Sequence, residues 1–131
     1  MTGRCFGGYN ISVRKVFCDS STRKGCIVFE DGGYAMPVYR APVTNNTGEY
    51  LVVIRALEKI VARGSEEQTI ICTDSLLVVN QVKGTWQCRK PHLVLLRDRV
   101  RQLSSEAKAM LLWIPREENL AGIILDRKRG S

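Results

Sequence analysis

Three carboxylates stand where metal-assisted phosphate chemistry would need them. They are Asp19 in KVFCDSS, Glu49 in TNNTGEYLVVIRALEKI and Asp74 in TIICTDSLLVVNQV. Asp19 and Asp74 end apolar runs of strand character, and Glu49 opens an amphipathic helix. Carboxylates gathered at the carboxyl ends of strands can hold Mg²⁺ against a phosphodiester. Taken singly, each has an ordinary reading: a turn residue, a first-turn helix charge and a helix N-cap.

The elements that must position them follow from pattern. Val13 to Cys18 reads as a strand ending at Asp19, and Gly25 to Glu30 as a second strand closed by the Asp31-Gly32-Gly33 hairpin turn. Tyr34 to Tyr39 is a third strand, and Pro37 within it marks a sheet edge. Thr44 to Thr47 supplies N-cap chemistry for a helix whose apolar stripe is Leu51, Ile54, Leu57, Ile60 and Val61, with Gly64 as its C-cap. Thr69 to Thr73 is a fully buried type of strand, and Asp74-Ser75 caps a helix from Leu76 to Val82. Pro91 opens a further helix with Leu93, Leu96, Val100 and Leu103 inward. Met110 to Ile114 is a last strand stopped by Pro115, and Leu120 to Arg127 a short helix. A hairpin meander followed by β-α-β crossovers predicts an α/β fold with a five-stranded mixed sheet and helices on both faces. The first, fourth and fifth strands are parallel in this reading. Ligands of such sheets bind beyond the carboxyl ends of the parallel strands, where Asp19 and Asp74 are expected side by side.

Composition narrows the partners. The chain has 131 residues, the length of one domain, with 1–12 expected as an N-terminal tail and 13–131 as the folded unit. No apolar run approaches a membrane span and MTGRCFGGYN has no signal-peptide core, so a cytoplasmic protein without a membrane partner is expected. Twenty Lys and Arg against 13 Asp and Glu, a net charge of +7, favour a polyanionic partner. The five cysteines form no CxxC pair, which argues against a zinc site and a disulfide framework. Cys18, Cys26 and Cys72 read as small core residues.

Three ordered segments resemble type 1 ribonuclease H, in its minimal form without a basic protrusion. TNNTGE is similar to that family's T-N-N-x-x-E segment, TDSLLVVNQVKGTW to its [ST]-D-S-x-x-V-x-N-x-x-x-G-x-W/Y segment, and WIPREEN to its V-P-R-E-x-N loop. The resemblance runs from about Lys15 to Ile124. It implies a ribonuclease H-like fold and cleavage of RNA paired with DNA. It also implies two bound ions, Mg²⁺ or Mn²⁺, held by four carboxylates. Asp19, Glu49 and Asp74 match the first three. The fourth should follow the Asn of the loop by four residues, and counting from Asn119 reaches Ile123. Asp126 is the nearest substitute, one helical turn and about 5 Å further along the axis. Asn45, Asn46, Ser75 and Trp86 match positions that contact the hybrid, while Arg23, Lys24, Lys83, Arg89 and Lys90 would attract phosphates.

Together, in the family's order and spacing, the carboxylates favour metal binding. The expectation is an endoribonuclease acting on RNA–DNA hybrids, with weakened activity and a preference for Mn²⁺ because Ile123 offers no ligand. The alternative is a catalytically impaired hybrid- or double-strand-binding module of the same fold. The protein is expected as a monomer or a homodimer.

Overall fold

The computed structural model describes residues 3–6, 9–64 and 67–129, with side chains for 13–64 and 67–127. Its sheet runs β4-β3-β2-β5-β6. These strands are β2 (Tyr9–Ser20), β3 (Gly25–Phe29), β4 (Tyr34–Ala35), β5 (Gln68–Thr73) and β6 (Ala109–Trp113). β2 pairs antiparallel with β3 but parallel with β5, and β5 pairs parallel with β6, which is the expected mixed sheet. Among the described residues four α-helices complete the fold: α1 (Asn45–Arg63), α2 (Leu76–Lys83), α3 (Pro91–Ala107) and α4 (Leu120–Arg129).

Two expectations are corrected. Residues 3–6 form β1, which pairs antiparallel with the start of β2, so the first strand begins at Tyr9 rather than Val13. The anticipated loose tail is therefore largely a hairpin; residues 1, 2, 7 and 8 lie outside the described residues, as do 130 and 131 of the basic end. The third strand is also shorter than Tyr34 to Tyr39. Pro37 has no N–H to give, the ladder stops at Ala35, and pairing returns only as a Lys24–Val38 bridge.

Strand alternation builds a core on each face. Val16, Cys18, Ile27 and Phe29 point to the side covered by α1, α2 and α3, where Tyr50, Leu57, Ile60, Val100 and Leu103 are buried with them. Cys26 and Val28 point to the other side, onto Ala121 and Leu125 of α4, with Phe17 packed alongside. Each fully buried Leu or Ile contributes roughly 1.5–3 kcal/mol relative to exposure. This packing holds the helices far more firmly than their propensities would. The helix ends obey the sequence. Thr44 Oγ1 accepts from Thr47 N, Ser75 Oγ accepts from Val78 N, and Gly64 and Gly84 take left-handed φ values of 64° and 88°. Cys18, Cys26 and Cys72 are buried free thiols. No described helix is long and apolar enough to cross a membrane.

Gly25 shows how tightly α1 sits on the sheet. A Cβ there would lie 2.6 Å from Val52 Cγ2 and 2.9 Å from Val52 Cβ. Gly25→Ala should therefore destabilise the protein by about 1–3 kcal/mol through overpacking. Urea unfolding checks this. Gly25→Ala/Val52→Ala should cost less than the sum of the two single changes, because the truncation removes the closest contact, with Val52 Cγ2, while the one with Val52 Cβ remains.

Candidate active site

The last registered pair between β2 and β5 is Cys18 with Thr73. The next residue of each strand's path is a carboxylate, Asp19 and Asp74, so neighbouring parallel strands deliver both acids to one rim. Glu49 comes to the same rim from the start of α1. One carboxylate oxygen from each of the three lies within 4.8 Å of the others. The group lines a cleft of about 720 Å³ together with Ser20, Ser21, Arg23, Lys24, Asn45 and Ser75.

Local bonds keep these acids in place. Ser20 N donates to Glu49 Oε1 at 3.0 Å, tying the end of β2 to α1. Ser20 Oγ is 2.6 Å from Tyr39 Oη, and Tyr39 Oη donates to the Gly48 carbonyl at 3.1 Å. Asn119 is fully buried. Its Nδ2 donates to the Cys18 carbonyl at 2.9 Å and to Asp74 Oδ2 at 3.2 Å, while its Oδ1 accepts from Ala121 N at 3.1 Å. One amide thus joins β2, Asp74 and the first turn of α4. Gly122 leaves room for Asp19, since a Cβ there would stand 3.2 Å from Asp19 Oδ2.

Capping and chemistry are divided between adjacent residues. Asp74-Ser75 was a joint cap in the sequence reading, but Ser75 does the capping and Asp74 is left to face the cleft.

The electrostatics are those of crowded anions. Glu49 is pushed up from 4.5 to about 8, by burial first and then by Asp19 and Asp74; Ser20's N–H and Arg116 oppose the rise. Asp19 is raised from 3.8 to about 6, by burial first and then by Asp74, with Arg116 and Ser20's N–H opposing. Glu49 Oε2 is buried and has no hydrogen-bond donor. An orphaned carboxylate oxygen inside a repelling, oxygen-only cluster is what a hard divalent cation would satisfy, so the residues fit Mg²⁺ or Mn²⁺.

The other sequence-derived positions separate into groups. Asn45 and Ser75 line the cleft, as do Arg23 and Lys24. Asn46, Arg89 and Lys90 line a neighbouring groove of about 340 Å³ with Leu77, Gln81, Gln87 and Leu93. Trp86 is half exposed and lines neither, and Lys83 ends α2 as an exposed residue. Asp126 lies outside the three-carboxylate cluster, and its Oδ2 is 3.5 Å from Arg116 Nη2. Ile123 is 38% exposed, and Ala121, Ile124 and Leu125 seat α4. Arg116, Asn119 and Tyr39 were not singled out as site residues. Arg116 and Asn119 carried only the resemblance of the PREEN loop, and nothing in periodicity marks Tyr39.

Residues 14–125 match the protein family described as reverse transcriptase-like. The chain belongs to that family and has the type 1 ribonuclease H fold. Ribonuclease H1 from the halophilic archaeon Halobacterium salinarum aligns at 26% identity and a TM-score of 0.74, over 87% of this chain and 94% of that one. A bifunctional protein of Mycobacterium tuberculosis is 35% identical over 77 residues, which are 58% of this chain and 21% of that protein. Its solved N-terminal ribonuclease H domain aligns at 25% identity with a TM-score of 0.73, covering 86% of this chain and 95% of that one. The compost-derived LC11 ribonuclease H1, solved with an RNA/DNA hybrid, shares the fold at 22% identity and a TM-score of 0.71, over 91% of this chain and 99% of that one. The chain thus spans about a fifth of the length of the curated mycobacterial relative it matches.

The raised pKa values set a pH dependence. A carboxylate whose folded value lies above its unfolded value contributes stability at low pH and loses it as pH rises through the folded value. Without divalent ions, the protein should therefore lose stability as pH rises from about 4 to 8, between the ordinary carboxylate values and the raised values near 6 and 8. The loss should reach a few kcal/mol, one pKa unit being about 1.4 kcal/mol. Asp19→Asn should flatten this slope. Mn²⁺ at pH 8 should raise the melting temperature of the unmodified protein and leave that of Asp19→Asn/Glu49→Gln almost unchanged. Thermal melts across pH, with and without the ion, measure both effects.

Proposed function

We propose that the protein is an endoribonuclease that cuts the RNA strand of RNA–DNA hybrids with the help of divalent cations. The observation that carries this reading is the convergence of Asp19, Glu49 and Asp74 within 4.8 Å on a ribonuclease H fold. Bound there, the cation would polarise a phosphate oxygen and lower the pKa of a water nucleophile.

The chain's own groups do the rest. Asp19, Glu49 and Asp74 supply the anionic oxygens. Asn119 and the Ser20 N–H orient two of them. Asn45 and Ser75 border the same cleft, where an amide and a hydroxyl can meet sugar hydroxyls and base edges. Arg23 and Lys24 at the cleft, and Arg89 and Lys90 in the adjoining groove, supply positive charge along a path for the phosphates. Asn46 serves that second groove in this reading, and Trp86 offers an exposed ring beyond it.

Ile123 contributes no oxygen where a fourth carboxylate would stand, so a second ion is held weakly, cleavage is slow, and Mn²⁺ supports it better than Mg²⁺. Incubation of excess protein with an end-labelled hybrid should give internal cuts in the RNA strand, and none in single-stranded RNA or duplex DNA. Asp74→Asn should lower the rate at least about 100-fold, the upper range for disturbing a metal site through its outer shell alone. Tight hybrid binding with no cutting in either ion would instead identify a binding module and remove the enzyme reading.

A further inference from the structure

Arg116 opens the short 3₁₀ turn Arg116–Glu118 between β6 and α4 and reaches over the carboxylate rim. Its Nη1 is 3.7 Å from Asp74 Oδ2 and its Nη2 is 3.5 Å from Asp126 Oδ2. One planar fork therefore spans a member of the cluster and the carboxylate one helical turn beyond Ile123. Arg116 counters the upward shift of both Asp19 and Glu49. Arg23 and Lys24 line the same cleft.

Resting on the proposed function, we infer that Arg116 is the built-in second cation of this site: the three carboxylates take one divalent ion, and the guanidinium takes the role of another. Asp19, Glu49 and Asp74, ionised around a bound cation, would carry three negative charges, and Asp126 adds a fourth on the outer side of the guanidinium. One divalent ion and Arg116 would bring this rim to a net −1, whereas a second divalent ion would turn it net positive where Ile123 adds no anion. A guanidinium is permanently charged, presents several N–H donors and binds phosphate oxygens in a fork, so it can meet a phosphate without a resident ligand at position 123. It also explains Asp126. Its contact with Arg116 steadies the fork from outside the cluster.

Mn²⁺ titration by calorimetry, without nucleic acid, tests this apart from cleavage. The unmodified chain should bind one ion tightly and a second only far more weakly. Arg116→Ala should still take one, about 3- to 10-fold more tightly, because a neighbouring positive charge is gone. The same variant should cut the hybrid at least about tenfold more slowly with little change in KM, and Arg116→Lys should recover part of that rate. Tighter ion binding with slower turnover is a pair of effects that a merely structural residue would not produce. Arg116→Ala/Ile123→Asp should take up two ions. Arg116 is exposed, so circular dichroism should show these variants folded. Two ions of similar affinity in the unmodified chain, or weaker uptake by Arg116→Ala, would overturn the inference even if the hybrid is cut. The expected uptake with an uncut hybrid would keep the charge-completing role and remove the enzyme reading. No Mn²⁺ uptake at all would remove both.

Discussion

Three carboxyl groups held together in a partly buried cleft are the constraint around which this molecule is arranged. Asp19, Glu49 and Asp74 approach to within 4.8 Å, and burial together with Asp74 raises the cost of ionising Asp19, and with both Asp19 and Asp74 that of ionising Glu49. Nothing local to any one of them would keep them there. The parallel pairing of β2 with β5 fixes Asp19 beside Asp74, and the two cores on either face of the sheet fix that pairing. Hydrogen bonds from Ser20 and Asn119 then aim Glu49 and Asp74 against their mutual repulsion.

The packing and the site are therefore one structure. Tyr50 follows Glu49, is fully buried, and donates from its hydroxyl to Gln81 at 2.8 Å; Gln81 in turn donates to the Gln87 carbonyl. This chain of polar groups, buried at Tyr50 and Gln81, joins α1, α2 and the loop before α3, so the helix that carries Glu49 is registered against the walls of the adjoining groove. On the other side of Glu49, a Cβ at Gly48 would lie 2.6 Å from Ser20 Oγ and 3.0 Å from the Ser21 carbonyl. The bare backbone there lets α1 come close enough for the Ser20 N–H to reach Glu49.

Positive charge is distributed unevenly around this centre. Arg23 and Lys24 border the cleft, Arg89 and Lys90 border the neighbouring groove, and Arg116 alone forks between two acids at the rim. The first four suit attraction of a polyanion over distance, which is screened by salt. Arg116 acts at short range, where a fixed charge alters ionisation. Position 123 sharpens the contrast, because an exposed isoleucine on α4 serves neither the core nor a cation.

The linear chain determined the alternation of strands and helices, the caps at Thr44 and Gly64, and the three acids, because these depend on periodicity and on residues near in sequence. It misjudged the first strand's start and the third strand's length, since hairpin pairing at residues 3–12 and the interruption at Pro37 depend on a partner strand. Only the tertiary structure separated Ser75 the cap from Asp74 the ligand candidate. It alone assigned Asn119 to Asp74 across 45 residues and set Arg116 between Asp74 and Asp126. It also turned Ile123 away from the core. Those roles are contacts between distant segments, and a contact has no periodicity by which a sequence could display it.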